Sequence, residues 1–496
     1  MTVAIPPATA DLRWDDSRLV LAARCGAQAA IELDGAYFSD VKIDARGELA
    51  LDFAFAPAAD ARLPLVVRER RDGPVALDAG MTDFHAAEPF HARETLLAAD
   101  AEPMRPEVAI VIPVYNAAEA VARCLASVLA HTTGNTRLII IDDASSDPEI
   151  SPLLARHADL PGVQVLVNPG NRGFTATVNR GIALAGDADV VLLNADTEVG
   201  PNWLTGLRRA AYTRSDIATV TAVSDNAGAF SVPELEQACP WPVAWSFEQT
   251  ARALWQDAGH VYPALPTGNG FCLYIRRAVI DAIGLFDEQA FPQGYGEEND
   301  FCQRASARGW RHVIAGTVFV HHARSLSFGV ERRQALGVAG MQVLRERWPN
   351  YETDVGATLF SFERRVLDWR VRRAYAAASS HEPLPRMLRS SPGMNQEPAS
   401  GYDVWMLDGQ DDRIMLEHCG DGAARDGAPV LMTRSDLGRW LQRHAIEIVD
   451  LATAPADALG AWLRRECARL GIAVVEAGAT PASALAALRS FDRPTR

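Results

Sequence analysis

The stretch "PEVAIVIPVYN", residues 106–116, decides the fold. Val108 to Val114 form a nearly continuous apolar run, which is typical of a strand covered on both faces. Pro113 has no backbone N–H to donate, so it must lie at the end or edge of that strand. Earlier segments such as "GELALDFAF" alternate in polarity as half-buried strands do. The stretch therefore predicts the start of a different kind of domain.

Strand and helix patterns alternate after this stretch. A helix with an apolar stripe through Val121, Leu125 and Val128 comes first, followed by the strands "RLIIIDD" and "VQVLVNP". A helix through "NRGFTATVNRGIALA" and the strand "DVVLLNAD" continue the series. Units of about 25 to 30 residues predict an α/β fold with a mainly parallel sheet and right-handed crossovers.

Three of the predicted strands end in polar side chains. These are Tyr115 with Asn116, Asp142 with Asp143, and Asn194 with Asp196. Ligands of parallel sheets gather beyond the carboxyl ends of the strands. Asp and Asn in such positions also cap the next helix, which is the alternative for any one strand. The convergence of three strand ends favours a binding site.

The flanking sequence predicts further domains. Residues 1–102 contain short alternating runs and indicate a β-rich, sandwich-like domain. The α/β domain covers 103–335, and a helical extension covers 336–380. A segment rich in Pro and Ser, 381–401, is interpreted as a linker. Residues 402–496 alternate between strand and helix patterns and predict a small α/β domain.

Composition narrows the class of protein. The net charge of −15 over 496 residues argues against nucleic acid as a partner. The seven cysteines form no C-x-x-C pair, no run approaches about 20 apolar residues, and the first residues lack a secretory pattern. We expect a cytoplasmic protein. Arginines within 331–380 fit either a helix packed on the core or peripheral contact with the anionic inner face of the membrane.

Six segments together resemble family 2 glycosyltransferases of the GT-A fold. They are "VAIVIPVYNAAEAVARCLASVL", "IIIDDASSD", "NRGFTATVNRG", "LLNADTEV", "GYGEENDFCQRA" and "FVHHARSLSFG". Their order is similar to that of the bacterial branch that builds surface polysaccharides, including rhamnosyltransferase-like members. The resemblance implies an inverting, metal-dependent enzyme with a nucleoside-diphosphate sugar donor and a glycan acceptor, which is lipid-linked in some members.

The resemblance also implies roles in donor binding. Tyr115 would stack on the base, and Asp142 would accept a hydrogen bond from a pyrimidine imide, which favours UDP- or dTDP-sugars. Pro113 would shape the turn beneath them. Asp143 would fix the neighbouring loop, and Arg172 would reach the base or the diphosphate, although a surface arginine is the alternative.

The family's D-x-D-like motif reads Asn194-Ala195-Asp196 in this chain. Asp196 would bind a divalent cation, Mn²⁺ or Mg²⁺, that neutralises the diphosphate. Asn194 replaces the first Asp and would weaken the metal site or contact the ribose. The family pattern in "FVHHARSLSFG" selects His322 as the second metal ligand.

The segment "GYGEENDFC" supplies the candidate base. The resemblance implies that Glu298 removes the proton of the acceptor hydroxyl, with Glu297 or Asp300 shaping the acceptor pocket. The alternative is that acidic residues are simply favoured in the first turn of a helix. Gly270 permits close backbone approach beneath the donor sugar. The segment "SDNAGAF", residues 224–230, is interpreted as a pocket wall.

Two rival functions differ in what they require. A sugar nucleotidyltransferase would need a Gly-rich, basic signature after the first strand, and "IPVYNAAEA" offers none. A non-catalytic glycan-binding scaffold on a decayed transferase is suggested by Asn194 and by the flanking domains.

Overall fold

The computed structural model describes most of the chain. It covers residues 94–100, 107–323, 330–359, 361–390, 399–410, 413–420, 429–453 and 457–491, and short strands between residues 10 and 92 whose backbone alone is described. The chain divides into two compact units. One contains Met1–Glu94 with Phe360–Trp369, and the other contains Thr95–Leu359 with Arg370–Arg496.

The strands of the first unit are antiparallel. They are β1 (Ala10–Asp15), β2 (Arg18–Ala23), β3 (Gln28–Leu33), β4 (Ala36–Lys42), β5 (Glu48–Asp52), β6 (Phe55–Pro57), β7 (Pro64–Glu69), β8 (Thr82–His85) and β9 (Phe90–Ala92). They pair in the orders β1-β2-β5, β4-β3-β7-β8 and β6-β9. The described elements between residues 10 and 92 are thus all strands, as the alternating pattern predicts.

The second unit begins with the predicted α/β domain. Its elements are β10 (Val108–Val114), α1 (Ala118–His131), β11 (Thr136–Asp142), α2 (Ile150–Ala155), β12 (Val163–Val167), α3 (Phe174–Leu184), β13 (Asp189–Leu193), β14 (Thr197–Val199), α4 (Trp203–Tyr212), β15 (Ile217–Ser224), α5 (Phe247–Asp257), β16 (Cys272–Ile275), α6 (Arg277–Ile283), α7 (Glu297–Ser306) and β17 (Arg311–His322). The eight strands form one sheet in the order β12-β11-β10-β13-β16-β15-β17-β14. Strands β10 to β13 are parallel to their neighbours in that group, and β16 runs antiparallel to β13 and β15.

The apolar run of β10 is the centre of this sheet. Val111 lies between β11 and β13 and has no exposed surface. Helix α3 covers it closely, because a Cβ on Gly181 would lie 2.2 Å from a Val111 methyl group. Burial of each such aliphatic side chain contributes about 1.5–3 kcal/mol. The predicted continuous strand is therefore buried on both faces, and this fixes the position of the loop that follows it.

A long-range strand pair shapes the edge of the sheet. The three residues of β14 pair antiparallel with the end of β17, so that Thr197 lies opposite His322. Glu198 lies in the middle of β14, and α4 begins at Trp203. A three-residue strand gives too short a pattern to identify, and its partner lies more than a hundred residues away in the sequence.

Helices α8 (Val330–Arg347), α9 (Tyr351–Leu359) and α10 (Phe362–Ala376) follow the sheet. Several arginines of α10 have protein partners. Arg372 Nε lies 2.8 Å from Glu234, and Arg370 donates to the carbonyl of Ala258 at 3.0 Å. Arg364 pairs with Asp368 of the same helix at 2.9 Å. The contacts of Arg370 and Arg372 favour the packed-helix interpretation over the lipid-facing one.

The rest of the chain forms a second α/β sheet. Its elements are β18 (Arg386–Ser390), β19 (Asp403–Gln410), β20 (Arg413–Gly420), β21 (Val430–Met432), α11 (Arg434–Arg443), β22 (Ile448–Asp450), α12 (Ala458–Leu470), β23 (Ala473–Val475) and α13 (Pro481–Leu488). The order is β21-β20-β19-β18-β22-β23. Strand β18 lies inside the segment 381–401 that we interpreted as a linker. Pro and Ser on both sides of "RMLRS" hid a short strand that is held by pairing with β19 and β22.

Polar contacts join the second sheet to the first. Glu447, just before β22, accepts hydrogen bonds from Asn202 at 3.0 Å and Arg252 at 3.2 Å. The ring of His260 lies 2.7 Å from the carbonyl of Gln442.

Six cysteines in the described residues are buried free thiols. Among the helices that the structure describes, none is both long and apolar enough to cross a membrane.

Candidate active site

A cavity of about 420 Å³ opens at the carboxyl ends of β10 and β13. Its walls come from segments scattered between residues 113 and 322. The predicted site residues that line it are Pro113, Tyr115, Asn194, Asp196, Gly270, Glu297, Glu298 and His322. Asp142, Asp143, Arg172 and Asp300 were also predicted and do not line it. The structure thus brings the candidate metal ligands and the candidate base into one cavity.

Asp196 and His322 lie together on one side of the cavity. Asp196 Oδ1 is 3.5 Å from His322 Nε2. The pairing of β14 with β17 holds the two residues in register, and the carbonyl of Asp196 accepts a hydrogen bond from the N–H of Ala323 at 3.0 Å. Residues that are far apart in the sequence therefore meet here through main-chain hydrogen bonds.

The orientation of the His322 ring is fixed from behind. Nδ1 lies 3.1 Å from the carbonyl oxygen of Asn226, and the ring stacks on Phe271 with a centroid distance of 5.3 Å. A carbonyl oxygen only accepts hydrogen bonds, so Nδ1 carries the proton. In the neutral ring, the lone pair is then on Nε2, which faces Asp196. A ligating histidine in a metal site is usually held in this way.

These two side chains fit a hard or borderline divalent cation. With a neutral His322, two electron-pair donors face each other at 3.5 Å, and a proton or a cation between them relieves the repulsion. Carboxylate oxygen and imidazole nitrogen are ligands that Mn²⁺ accepts. No cluster of three His, Cys, Asp or Glu side chains suited to a metal occurs in the described residues. Further ligands would have to come from bound substrate or solvent.

Glu297 and Glu298 lie at the start of α7. Glu297 is only 3% exposed, and its Oε2 accepts a hydrogen bond from the N–H of Gly296 at 3.1 Å. Burial, together with the negative charge of Glu298, raises the pKa of Glu297 well above its ordinary value. Burial also raises the pKa of Glu298, while hydrogen bonds from Glu297 and the N–H groups of Gly296 and Gly270 act in the opposite direction. Both carboxyls therefore bind a proton more tightly than usual, Glu297 more strongly than Glu298.

Glu298 has an unsatisfied oxygen. Its Oε2 atom is buried and has no hydrogen-bond partner among the residues that the structure describes. Buried carboxylate oxygens are normally hydrogen-bonded, so such an atom is a candidate to accept a proton from a bound ligand. Glu298 matches the predicted base in this respect.

Asp300 does not line the cavity, although we expected it to shape the acceptor pocket. Its carboxylate is 1% exposed and pairs with Arg304 at 2.8 Å and with Arg347 at 3.2 Å. The indole N–H of Trp348 donates to it at 3.1 Å. The structure therefore places Asp300 in a charged cluster, and its distant partners Arg347 and Trp348 left no local signal in the sequence.

The turn that carries Glu297 is strained. Gly294, Tyr295 and Gly296 all have positive φ, at 88°, 68° and 143°. Tyr295 adopts a conformation that is costly for a residue with a Cβ, and such strain concentrates at functional sites. Helix α8 holds this turn from outside, since a Cβ on Gly340 would lie 1.8 Å from the carbonyl oxygen of Tyr295.

The predicted donor-binding loops hold one another in place. The carboxylate of Asp143 accepts hydrogen bonds from Asn168 at 2.6 Å and from the N–H groups of Arg172 and Gly173, both at 2.9 Å. Asp142 accepts one from the N–H of Ser145 at 2.9 Å. The contacts of Asp143 agree with its expected part in fixing a loop. The direct base contacts of Asp142 and Arg172 remain predictions, and Arg172 is exposed.

Two residues of the site were not identified from the sequence. Asp225 and Asn226 lie in the segment that we interpreted as a pocket wall, yet neither lines the cavity. Both contact the histidines from behind, and Asp225 Oδ2 lies 2.8 Å from His321 Nδ1. Their separation from His322 by almost a hundred residues left no local signal. Only the parallel pairing of β15 with β17 brings them together.

Comparison with known proteins identifies the domain. Residues 109–283 match the family described as "Glycosyl transferase family 2". The chain is 28% identical over 244 residues to the N-acetylglucosaminyl-diphospho-decaprenol L-rhamnosyltransferase of Mycobacterium tuberculosis, covering 44% of this chain and 77% of that protein. It is 30% identical over 121 residues to the succinoglycan biosynthesis protein ExoO of Rhizobium meliloti, covering 24% of this chain and 33% of that protein.

One match among solved structures is the mannosyltransferase PcManGT from Pyrobaculum calidifontis in complex with GDP-Man and Mn²⁺. It is 17% identical to this chain, with a TM-score of 0.37, and the match covers 58% of this chain and 79% of that one.

Proposed function

Since the chain belongs to the family 2 glycosyltransferases, we propose that it is an inverting, metal-dependent enzyme that transfers a sugar from a UDP- or dTDP-sugar to a growing glycan. One observation carries this proposal. The Asp196–His322 pair and the unsatisfied carboxylate of Glu298 line the same cavity. Donor activation and acceptor deprotonation need these two kinds of group within one cleft.

Glu298 acts as the general base. Its carboxylate accepts the proton of the acceptor hydroxyl as that oxygen forms a bond to the anomeric carbon. The bond from the anomeric carbon to the diphosphate oxygen breaks at the same time, and the nucleoside diphosphate leaves on the opposite face with both electrons. Inversion at the anomeric carbon follows from this single displacement.

Asp196 and His322 would hold the divalent cation. A bound cation would supply positive charge to offset the charge that develops on the departing diphosphate. Asp196 offers a carboxylate oxygen, and His322 offers Nε2 because Asn226 holds the proton on Nδ1. Tyr115, Asn194 and Gly270 line the same cavity and would contact the donor.

Glu297 tunes the base. With a proton on Glu297, the pair carries one negative charge, which is on the Glu298 carboxylate. The raised pKa of Glu298 brings its basicity closer to that of a group suited to general-base catalysis near neutral pH. The backbone N–H of Gly296 keeps the Glu297 carboxyl in place.

The acceptor is a lipid-linked glycan in this proposal. The support is the name of the mycobacterial relative, an N-acetylglucosaminyl-diphospho-decaprenol L-rhamnosyltransferase. A sugar that is joined to a membrane lipid would require the enzyme to work at the inner membrane surface. The enzyme would then be a cytoplasmic protein that contacts the membrane peripherally.

A donor screen tests the proposal. Purified protein is incubated with a panel of UDP- and dTDP-sugars, with Mn²⁺, with Mg²⁺ and with EDTA, and release of nucleoside diphosphate is measured with and without a lipid-linked glycan acceptor. We expect metal-dependent turnover with at least one donor. No release or transfer with any donor under any metal condition would contradict the proposal, and oligosaccharide binding without nucleotide or metal would favour a scaffold.

A further inference from the structure

The turn that follows β15 contacts two consecutive histidines at the end of β17. The β15–β17 ladder ends with Ser224 opposite Val320. Beyond that point, a side chain replaces the backbone carbonyl as the hydrogen-bond acceptor. Asp225 Oδ1 accepts the N–H of His322 at 3.0 Å. Its Oδ2 lies 2.8 Å from Nδ1 of His321. The Asp225 carboxylate therefore fixes the backbone of His322, a predicted metal ligand, and the side chain of its neighbour His321.

The next residue completes the arrangement. The carbonyl of Asn226 accepts the Nδ1–H of His322 at 3.1 Å, which leaves Nε2 as the atom that faces Asp196. The Asp225 side chain is 12% exposed and lies behind the cavity wall. Donors from His321 and His322 act on its two oxygens, and the Ser224 hydroxyl lies 3.1 Å from Oδ1. Asp225 cannot turn toward the cavity without breaking these contacts.

We propose that Asp225 and the carbonyl of Asn226 position His322 for cation binding, with Asp225 fixing its backbone and Asn226 fixing its tautomer. This inference rests on the proposed function for the nature of the ligand. Asp225 does not line the cavity, so in this proposal its effect on a bound cation is indirect and passes through His322, whose N–H it accepts. Outer partners of metal ligands typically contribute about 10- to 100-fold in metal affinity.

A purely structural role for Asp225 is the alternative. The main chain of Asp225 already stabilises the loop, because its carbonyl accepts the N–H of Cys239 at 2.7 Å. That bond survives a change of the side chain. A substitution of the carboxylate therefore separates the two roles, provided that the measured quantity depends on His322.

The first test observes the tautomer directly in the metal-free protein. Nitrogen NMR of ¹⁵N-histidine-labelled protein distinguishes Nδ1–H from Nε2–H rings, and the His322 signals are assigned by their loss in His322→Asn. We expect the Nδ1–H tautomer for His322. A dominant Nε2–H tautomer would overturn the inference, and this result does not depend on any enzymatic activity.

The second test is a double-mutant cycle in binding. The Mn²⁺-dependent affinity for UDP and for dTDP is measured by calorimetry in the wild type, Asp225→Ala, His322→Asn and the double variant. Asp225→Ala removes the oxygen that accepts the His322 N–H and should weaken the affinity about 10- to 100-fold. Since Asp225 acts through His322, adding Asp225→Ala to His322→Asn should change the affinity by less than about 2-fold.

A matched substitution controls for general effects. Asp281→Ala removes a carboxylate from an exposed ion pair with Arg277 and should leave the affinity unchanged. Equal losses from Asp225→Ala in both backgrounds, or wild-type affinity in Asp225→Ala, would overturn the inference. Absence of nucleotide binding in the wild type would instead contradict the proposed function, and the NMR result would still decide the positioning of His322.

Discussion

The two sheets of the second unit place acidic residues at similar points and use them differently. Asp450 lies at the end of β22 in the second sheet, where its Oδ2 accepts a hydrogen bond from Arg389 at 2.9 Å and its Oδ1 accepts one from the N–H of Ala452 at 3.0 Å. In the sheet formed by β10 to β17, Asp196 follows β13, and its Oδ1 lies 3.5 Å from His322 Nε2 on one side of the cavity. The difference lies in the partners and not in the residue type or its place on the strand.

The same contrast occurs within the first turn of α7. Asp300 is surrounded by Arg304, Arg347 and Trp348, while Glu298, two residues earlier, has an oxygen without a partner in the described part of the chain. An acidic side chain with a complete set of internal donors contributes to stability. One with an oxygen left over is available to a ligand. Substitutions in each class should therefore affect different measurements.

The largest expected effect is on the rate of transfer. Glu298→Gln keeps the shape of the side chain and removes the proton acceptor, so the rate should fall about 10²- to 10⁴-fold. The melting temperature and the Mn²⁺-dependent affinity for nucleotide should stay close to those of the wild type. Steady-state kinetics with the donor found in the screen measure the loss. Retention of more than a tenth of the wild-type rate would contradict the assignment of Glu298 as the general base.

The matching change in the second sheet should affect stability alone. Asp450→Asn removes the charged partner of Arg389, and loss of such a hydrogen bond costs about 1.5–3 kcal/mol in the free energy of unfolding. Chemical denaturation measures this loss. The rate of transfer should be unchanged at a temperature where both proteins are folded. A large loss of activity without a change in stability would contradict the assignment of a purely stabilising role to Asp450.

Glu297 should tolerate an amide. In the proposed mechanism Glu297 carries the proton of the pair, so Glu297→Gln replaces one neutral donor with another. We expect less than about a 10-fold fall in rate, compared with the lower limit of about 10²-fold for removal of a general base. The two variants Glu297→Gln and Glu298→Gln are therefore controls for each other in the same assay. Reversed effects would assign the base to Glu297.

The smallest effect is on the pH dependence of stability. The pKa of Glu297 is higher in the folded chain than in the unfolded chain, so the folded state binds its proton more tightly. Its contribution to stability is complete below a pH of about 4.3 and is lost as the pH rises through the raised pKa. Glu297→Gln should therefore reduce the decline of the melting temperature from mildly acidic to neutral pH. An unchanged profile would contradict the assignment of the proton.

Much of the sheet formed by β10 to β17 could be predicted from the sequence. The continuous apolar run of β10 and the helical stripe of α1 carry strong local signals, and both elements occur as predicted. Strand β14, with three residues, and strand β18, inside a segment rich in Pro and Ser, depend on pairing with distant strands. Local patterns cannot reveal such elements, because their stability comes from partners elsewhere in the chain.

The site shows the same division. Asp196, Glu298 and His322 were predicted through their motifs, and the structure brings them to one cavity. Asp225 could not be predicted to contact His322, since that contact depends on the register of β15 against β17. Equally, the sequence could not separate Asp300 from Glu298, because tertiary packing brings Arg347 and Trp348 to Asp300. Motifs identify candidate residues, and the surrounding contacts decide which of them face a ligand.

The most direct test of the account is the Mn²⁺-dependent affinity for UDP and dTDP, measured by calorimetry in the wild type, Asp196→Ala and Glu298→Gln. We predict that Asp196→Ala loses metal-dependent binding and that Glu298→Gln binds as the wild type does, because only Asp196 lies beside His322 at the proposed cation site. Equal affinity in all three proteins would contradict the division of the cavity into a metal side and a base side.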